Sequence, residues 1–157
     1  MIVFLDKDGV FEHVRAYMAG LKYDPIASRV LSALFSRPDV QVVISATFRK
    51  IHTRESALEH LKARGITCTL HEDWRTDVKD TRSEEVYDWL QRHGMPDDYL
   101  MIDDEDCLPH LDPEKYIQGH PYEGLLTDAL VKLDKLAGID YGHSLKWESQ
   151  RRLRDKQ

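Results

Sequence analysis

Ile2-Val3-Phe4-Leu5-Asp6-Lys7-Asp8-Gly9-Val10 is the stretch that decides the fold. Four apolar residues in a row, bounded by aspartate and glycine, read as a strand buried on both faces, the kind found inside a parallel sheet. Two aspartates one residue apart follow at once, and Gly9 lets the chain turn sharply after them. In that position one carboxylate can attack phosphorus while the other protonates the leaving oxygen. Taken alone, an acidic turn or a calcium loop would fit as well. The calcium pattern is not continued, since no further acidic ligands follow at alternate positions.

Outward from this strand the chain alternates. Pro25 opens an expected helix with Ile26, Val30, Leu31, Leu34 and Phe35 inward, closed near Pro38. Residues 40–44 read as a second buried strand. Residues 53–64 read as a second helix with Ala57, Leu58 and Leu61 inward and Gly65 at its end. Residues 66–70 read as a weaker third strand. Thr81-Arg82-Ser83-Glu84 has the capping-box form and opens a helix with Val86, Trp89 and Leu90 on its apolar face, stopping at Gly94. Strands at 99–102 and 116–118 and a helix at 122–137 complete the order βαβαβαββα, an α/β domain with a mainly parallel sheet. Residues 11–24 read as a partly buried hairpin or as a flap whose aromatics stack on a base, and 71–75 as a loop that either borders a substrate groove or simply packs Trp74 against the domain.

The chain has 157 residues, 41% hydrophobic and 32% charged, which suits one globular domain. We expect that domain over residues 1–140, followed by a basic tail at 141–157 that contains Arg151, Arg152 and Arg154. The tail reads as a solvated helix end, with a binding patch as the alternative. A formal net charge of −6 argues against a surface that grips nucleic acid everywhere, while leaving room for a local basic groove. No run approaches the length of a membrane span and no signal peptide is expected. Cys68 and Cys107 lack a metal or redox spacing and read as reduced thiols of a cytoplasmic protein. The histidines His52, His71, His110 and His120 form no ligand spacing either.

In open parallel sheets ligands gather beyond the carboxyl ends of the strands. Here those ends carry Asp6 and Asp8, then Ser45 and Thr47, then Asp103, Asp104 and Asp106. Carboxylates crowded at one edge raise each other's pKa and call for a cation, and oxygen-only ligands favour magnesium over zinc.

These residues resemble the haloacid-dehalogenase (HAD) superfamily of phosphatases from Ile2 to about Ala137. Phe4-Leu5-Asp6-Lys7-Asp8-Gly9-Val10 is similar to its first motif and Val42-Val43-Ile44-Ser45 to its second. Arg82 resembles the basic residue of the third, with Lys79 as competitor, and Met101-Ile102-Asp103-Asp104-Glu105-Asp106 resembles the acidic fourth. The resemblance implies a three-layer Rossmannoid fold around the mainly parallel sheet. It implies an aspartyl-phosphate route with Asp6 as nucleophile, Asp8 as acid and base, and Ser45 and Arg82 as holders of the phosphoryl group. Magnesium would be bound by Asp6, the Asp8 carbonyl and Asp103, with Asp104 orienting its waters. Thr47 and Arg49 are further substrate contacts.

Ile44-Ser45-Ala46-Thr47-Phe48-Arg49 and the stretch from Arg82 to Leu90 are similar to Ser-Ser-x-Trp-Arg and Arg-x-x-Glu-Ile-x-x-Trp-Leu forms of phosphatase-like domains associated with nucleic-acid end repair. Ala46, Phe48 and Val86 depart from those forms. Only 38 residues separate Asp6 from Ser45 and 36 separate Ser45 from Arg82, which leaves no room for a cap domain. An open site suits phosphate at a nucleic-acid or nucleotide end, in a protein read as a monomer. The alternatives are a small-molecule phosphatase capped by oligomerisation and an inactive HAD-like binding module.

Overall fold

A computed structural model of the chain describes residues 1–105 and 111–139. The expected basic tail, Asp106, Cys107 and His110 lie outside the described residues. Five strands, β1 (Ile2–Leu5), β2 (Gln41–Ile44), β3 (Leu70–Arg75), β4 (Tyr99–Asp103) and β5 (Tyr116–Gln118), form one sheet in the order β3-β2-β1-β4-β5. Every neighbouring pair is parallel. β1 is therefore central, and a strand paired on both sides and covered on both faces must be apolar throughout. Val3, Phe4 and Leu5 meet that demand and are buried.

Alternate residues face opposite layers. Val3, Leu5, Val42, Ile44 and Ile102 pack with helices α2 (Pro25–Phe35) and α3 (Arg54–Lys62) and with Leu133 of α5 (Thr127–Leu136). Phe4, Val43 and Met101 pack on the other face against Val86, Trp89 and Leu90 of α4 (Arg82–Arg92). The Phe4 and Trp89 rings meet edge to face at 5.3 Å, a contact of about 1 kcal/mol beyond area burial. The result is a helix–sheet–helix sandwich, as expected from the alternation of elements. Among the described residues no helix is long and apolar enough to cross a membrane.

The helix starts are fixed by local chemistry. Asp24 accepts from the Ile26 and Ala27 N–H groups ahead of α2, with Pro25 in the first turn. Thr81 and Glu84 form the expected capping box, and that box makes Arg82 the first residue of α4, beside the sheet edge.

Four expectations need correction. The third strand runs over Leu70–Arg75 rather than residues 66–70. Ile66 N–H bonds the Leu61 carbonyl to close α3, and Thr67 N–H goes to Ser32 Oγ, so those donors are spent before a ladder can use them. The segment 71–75 is thus an edge strand, whose polar sequence a sheet edge tolerates. Residues 11–24 hold the short helix α1 (Val14–Met18) rather than a hairpin, capped by the His13 imidazole, which accepts from Ala16 N–H. The last helix starts at Thr127, because Tyr122 and Glu123 N–H bond His120 Nδ1 in a turn instead. Ile26 is 58% exposed and lies off the apolar face of α2.

The connection from β1 to β2 contains only α1 and α2, and that from β2 to β3 only a 3-10 turn at Thr47–Lys50 and α3. Neither holds a cap domain.

Candidate active site

Asp6 leaves β1 with its N–H on the Ile102 carbonyl at 2.9 Å, so sheet pairing fixes the start of the loop. The loop then turns back on itself through Gly9, whose φ of +70° suits glycine. Gly9 also meets close neighbours on two sides. A β-carbon there would lie 2.4 Å from Asp104 Oδ2, and one on Gly119 would lie 2.1 Å from the Gly9 carbonyl oxygen. Gly119 N–H bonds the Asp103 carbonyl and His120 N–H bonds that of Gly9, which ties the loops after β1, β4 and β5 together. Gly119 was not singled out from sequence, since its need arises only from this approach.

Asp6, Asp103 and Asp104 each offer a carboxylate oxygen within 4.8 Å of the others. Asp103 is fully buried. Its Oδ1 accepts from Glu105 N–H at 3.1 Å, while Oδ2 has no hydrogen-bond partner. Burial first, then Asp103, pushes the Asp6 carboxyl far above the usual carboxylate range, with Arg82 opposing. Burial also raises Asp103 and Asp104. Three hard oxygen donors with an unsatisfied buried oxygen fit a magnesium ion.

Arg82 sits among these groups, with Nη2 3.6 Å from Asp6 Oδ1 and Nε 3.1 Å from Asp103 Oδ2. The second contact is an ion pair whose direction does not make it a hydrogen bond, so Nε is unpartnered in that sense. Burial works against the Arg82 charge, but Asp103, Asp6 and Glu85 outweigh it and raise its pKa. Lys79, its competitor, instead pairs with Asp88 at 3.0 Å on the surface.

Ser45 closes β2. Its carbonyl receives Nη1 of both Arg49 and Arg82, and its buried hydroxyl has no partner. Thr47 is exposed in the 3-10 turn. Arg49 is buried, with Nε on the Thr76 carbonyl at 2.9 Å and Nη2 on Glu85 Oε1 at 2.7 Å. Its hydrogen bonds point into the protein rather than to the opening. Asp8 is exposed, with its carboxylate 3.2 Å from Lys7 Nζ.

Two further carboxylates belong to this neighbourhood, and sequence reading missed both. Glu85 is buried and spans the two arginines, with Oε2 2.5 Å from Arg82 Nη1. It lies three residues after Arg82, so the i, i+3 spacing on one helix was the available signal. Glu12 is buried under the Asp6–Asp8 loop, where it accepts from Lys7 Nζ at 2.9 Å, from the Tyr17 hydroxyl at 2.7 Å and from Arg64.

A central parallel strand ending in two aspartates, with a buried arginine and further carboxylates at the adjacent strand end, is what the HAD resemblance predicted. Comparison with protein families matches residues 2–130, most of the chain, to the family described as "HAD domain in Swiss Army Knife RNA repair proteins". No curated protein and no solved structure matches. Fold and family match agree, and the chain belongs to the HAD superfamily, in the family of HAD domains of Swiss Army Knife RNA repair proteins.

Proposed function

We propose that this domain is a magnesium-dependent phosphomonoesterase that removes a terminal phosphate from nucleic-acid or nucleotide ends, in the manner of a 3′-phosphatase. The observation that carries the reading is Arg82 ion-paired with both Asp6 and Asp103 where the central strand and its neighbour β4 end. The family's association with RNA repair supports the choice of substrate.

In the proposed route a carboxylate oxygen of Asp6 attacks phosphorus in line, forming an O–P bond as the ester P–O bond breaks. The Asp8 carboxyl gives its proton to the leaving oxygen. Asp8 then takes a proton from water, whose oxygen attacks the same phosphorus. The acyl–phosphate P–O bond breaks, returning Asp6 as a carboxylate and releasing phosphate. Arg82 and the unpartnered Ser45 hydroxyl hold the phosphoryl oxygens throughout. Magnesium held by Asp6, Asp103, Asp104 and the Asp8 carbonyl would neutralise charge that otherwise opposes an anionic substrate. Arg49 supports the Ser45 carbonyl, and Thr47 stands where an incoming strand can touch it.

The test is phosphate release from an aryl phosphate and from a 3′-phosphorylated oligoribonucleotide in magnesium. The wild type is expected to release phosphate from both and Asp6→Asn from neither. Release that survives in Asp6→Asn sinks the mechanism, and a wild type without activity on any phosphoester sinks the reading as a phosphatase.

A further inference from the structure

The face beside the Asp6–Asp8 loop is built from α1 and the turn at residues 121–126. Val14 N–H bonds the Pro121 carbonyl at 3.3 Å, Arg15 N–H bonds that of Tyr122 at 2.8 Å, and Arg15 Nη2 bonds that of Glu123 at 3.0 Å. These bonds make α1 and the turn one surface. Large side chains are left in the open on it: Tyr17 is 53% exposed, Met18 73% and Tyr122 46%. The Tyr122 hydroxyl lies 3.1 Å from Met18 Sδ, so the two side chains are adjacent.

Tyr17 marks the end of this face that meets the proposed site. Its hydroxyl donates to Glu12, which also accepts from Lys7 Nζ, and Lys7 Nζ lies 3.2 Å from the Asp8 carboxylate. Two hydrogen bonds thus connect a half-exposed ring to the residue next to the nucleophile. Fixing the hydroxyl removes rotamer freedom before anything binds, which favours stacking. The other end is tied to the same loop through His120 N–H on the Gly9 carbonyl at 3.0 Å. Arg15, with its side chain 55% exposed, lies on this face 3.8 Å from the half-exposed Glu123 carboxylate, which a strand's phosphate would replace as its partner. Exposed rings with an arginine among them, beside an uncapped phosphate site, match the way single strands are held without reading their sequence.

We propose that this face holds a single-stranded RNA whose phosphorylated end lies at Asp6. The terminal base stacks on Tyr17 and the bases before it lie along Met18 and Tyr122, with Arg15 near the backbone. The proposal rests on the phosphatase reading for the position of the phosphate, and it goes further by assigning the rest of the strand to named residues.

The experiment measures binding without turnover, in the Asp6→Asn protein with magnesium at fixed salt. Fluorescence anisotropy would follow a labelled 3′-phosphorylated hexaribonucleotide, and competition would follow a nucleoside 3′-monophosphate. We expect the hexamer to bind at least about tenfold more tightly than the mononucleotide. Tyr17→Ala and Tyr122→Ala should each weaken hexamer binding about tenfold, and Tyr17→Phe, which keeps the ring, less than about threefold. Met18→Ala changes an exposed side chain, so a weakened hexamer there cannot be put down to misfolding.

Hexamer affinity unchanged in Tyr17→Ala, Tyr122→Ala and Met18→Ala overturns the assignment. So does equal affinity for hexamer and mononucleotide, or a solution dimer that Met18→Asp dissociates without altering hexamer affinity. Failure of the wild type to release phosphate counts against the phosphatase reading alone, because the binding series needs no turnover.

Discussion

Glu12 and Glu85 are buried carboxylates, one bonded to the Asp6–Asp8 loop through Lys7 and the other to Arg82 beside Asp6, and each gathers cations from separate elements. Glu85 joins Arg82 and Arg49, whose side chains are 9% exposed or less. Glu12 joins Lys7, Arg64 and Tyr17, all of which reach water. A carboxylate between two desolvated guanidiniums cannot be removed without stranding both. One whose partners keep some access to water, as Lys7 and Arg64 do at 17% and 24% exposure, can be removed at lower cost, because those partners rehydrate. The Glu85 side therefore sets the geometry around Asp6, while the Glu12 side sets the geometry of a rim that faces a ligand.

The largest expected effect comes from removing Glu85. Glu85→Ala should lose about 3–5 kcal/mol of stability in chemical denaturation. Glu85→Gln, which keeps the shape, should still fold and lose about 100-fold in kcat with a smaller change in KM, because Arg82 is no longer held against Asp6. A Glu85→Gln enzyme as fast as wild type would make the network merely structural and break the comparison.

Next in size is the coupling of pH and metal at Asp6, whose carboxyl is pushed up to about 8, chiefly by burial and then by Asp103. A raised carboxyl means that the folded protein keeps a proton where the unfolded chain has lost it. No penalty exists below the ordinary value of 3.8, where both states are protonated. It grows as pH rises towards about 8 and is full above that. Tm of the metal-free protein should accordingly fall across this window. Excess magnesium should raise Tm more at pH 8 than at pH 5, and equal shifts at the two would contradict the assignment of Asp6 as a ligand.

Glu12 has the opposite sign. Burial pushes its carboxyl up, but hydrogen bonds from Tyr17, Arg64 and Lys7 outweigh this and hold it below its ordinary value of 4.5. Its contribution is present above that value and lost as pH falls through the lowered one. Glu12→Gln should cost about 1 kcal/mol near neutral pH, and the Tm gap to wild type should close in acid. A Glu12→Gln penalty as large as that of Glu85→Ala would erase the contrast. The smallest effect belongs to Lys79→Ala, which breaks only the exposed pair with Asp88 and should leave kcat/KM within about twofold. Arg82→Lys, by contrast, should lose most activity, since an ammonium cannot span Asp6, Asp103 and Glu85 at once.

Sequence carried the apolar strands and the capping box because both are local. A run such as Ile2–Leu5 has nowhere to go but a covered sheet, and Thr81 with Glu84 places Arg82 at a helix start wherever the helix lies. Residues 66–70 misled because apolar character at Ile66 reflects burial, whereas a strand needs free backbone donors, and those were taken by α3 and Ser32. Arg49 shows the same limit: arginine after a motif serine is legible, but that it turns inward to Glu85 is not.

By itself the sequence determined the five strands in order, the helices between them apart from α1, the central strand and the residues at its carboxyl end, since period, caps and short apolar runs act over a few neighbours. Only the tertiary structure decided that Arg82 rather than Lys79 faces Asp6, that Gly119 must be small, that Glu12 holds Lys7 of the loop and that Glu85 holds Arg82. Each of these depends on groups far apart in the chain meeting within a few ångströms, a distance that local propensity does not encode.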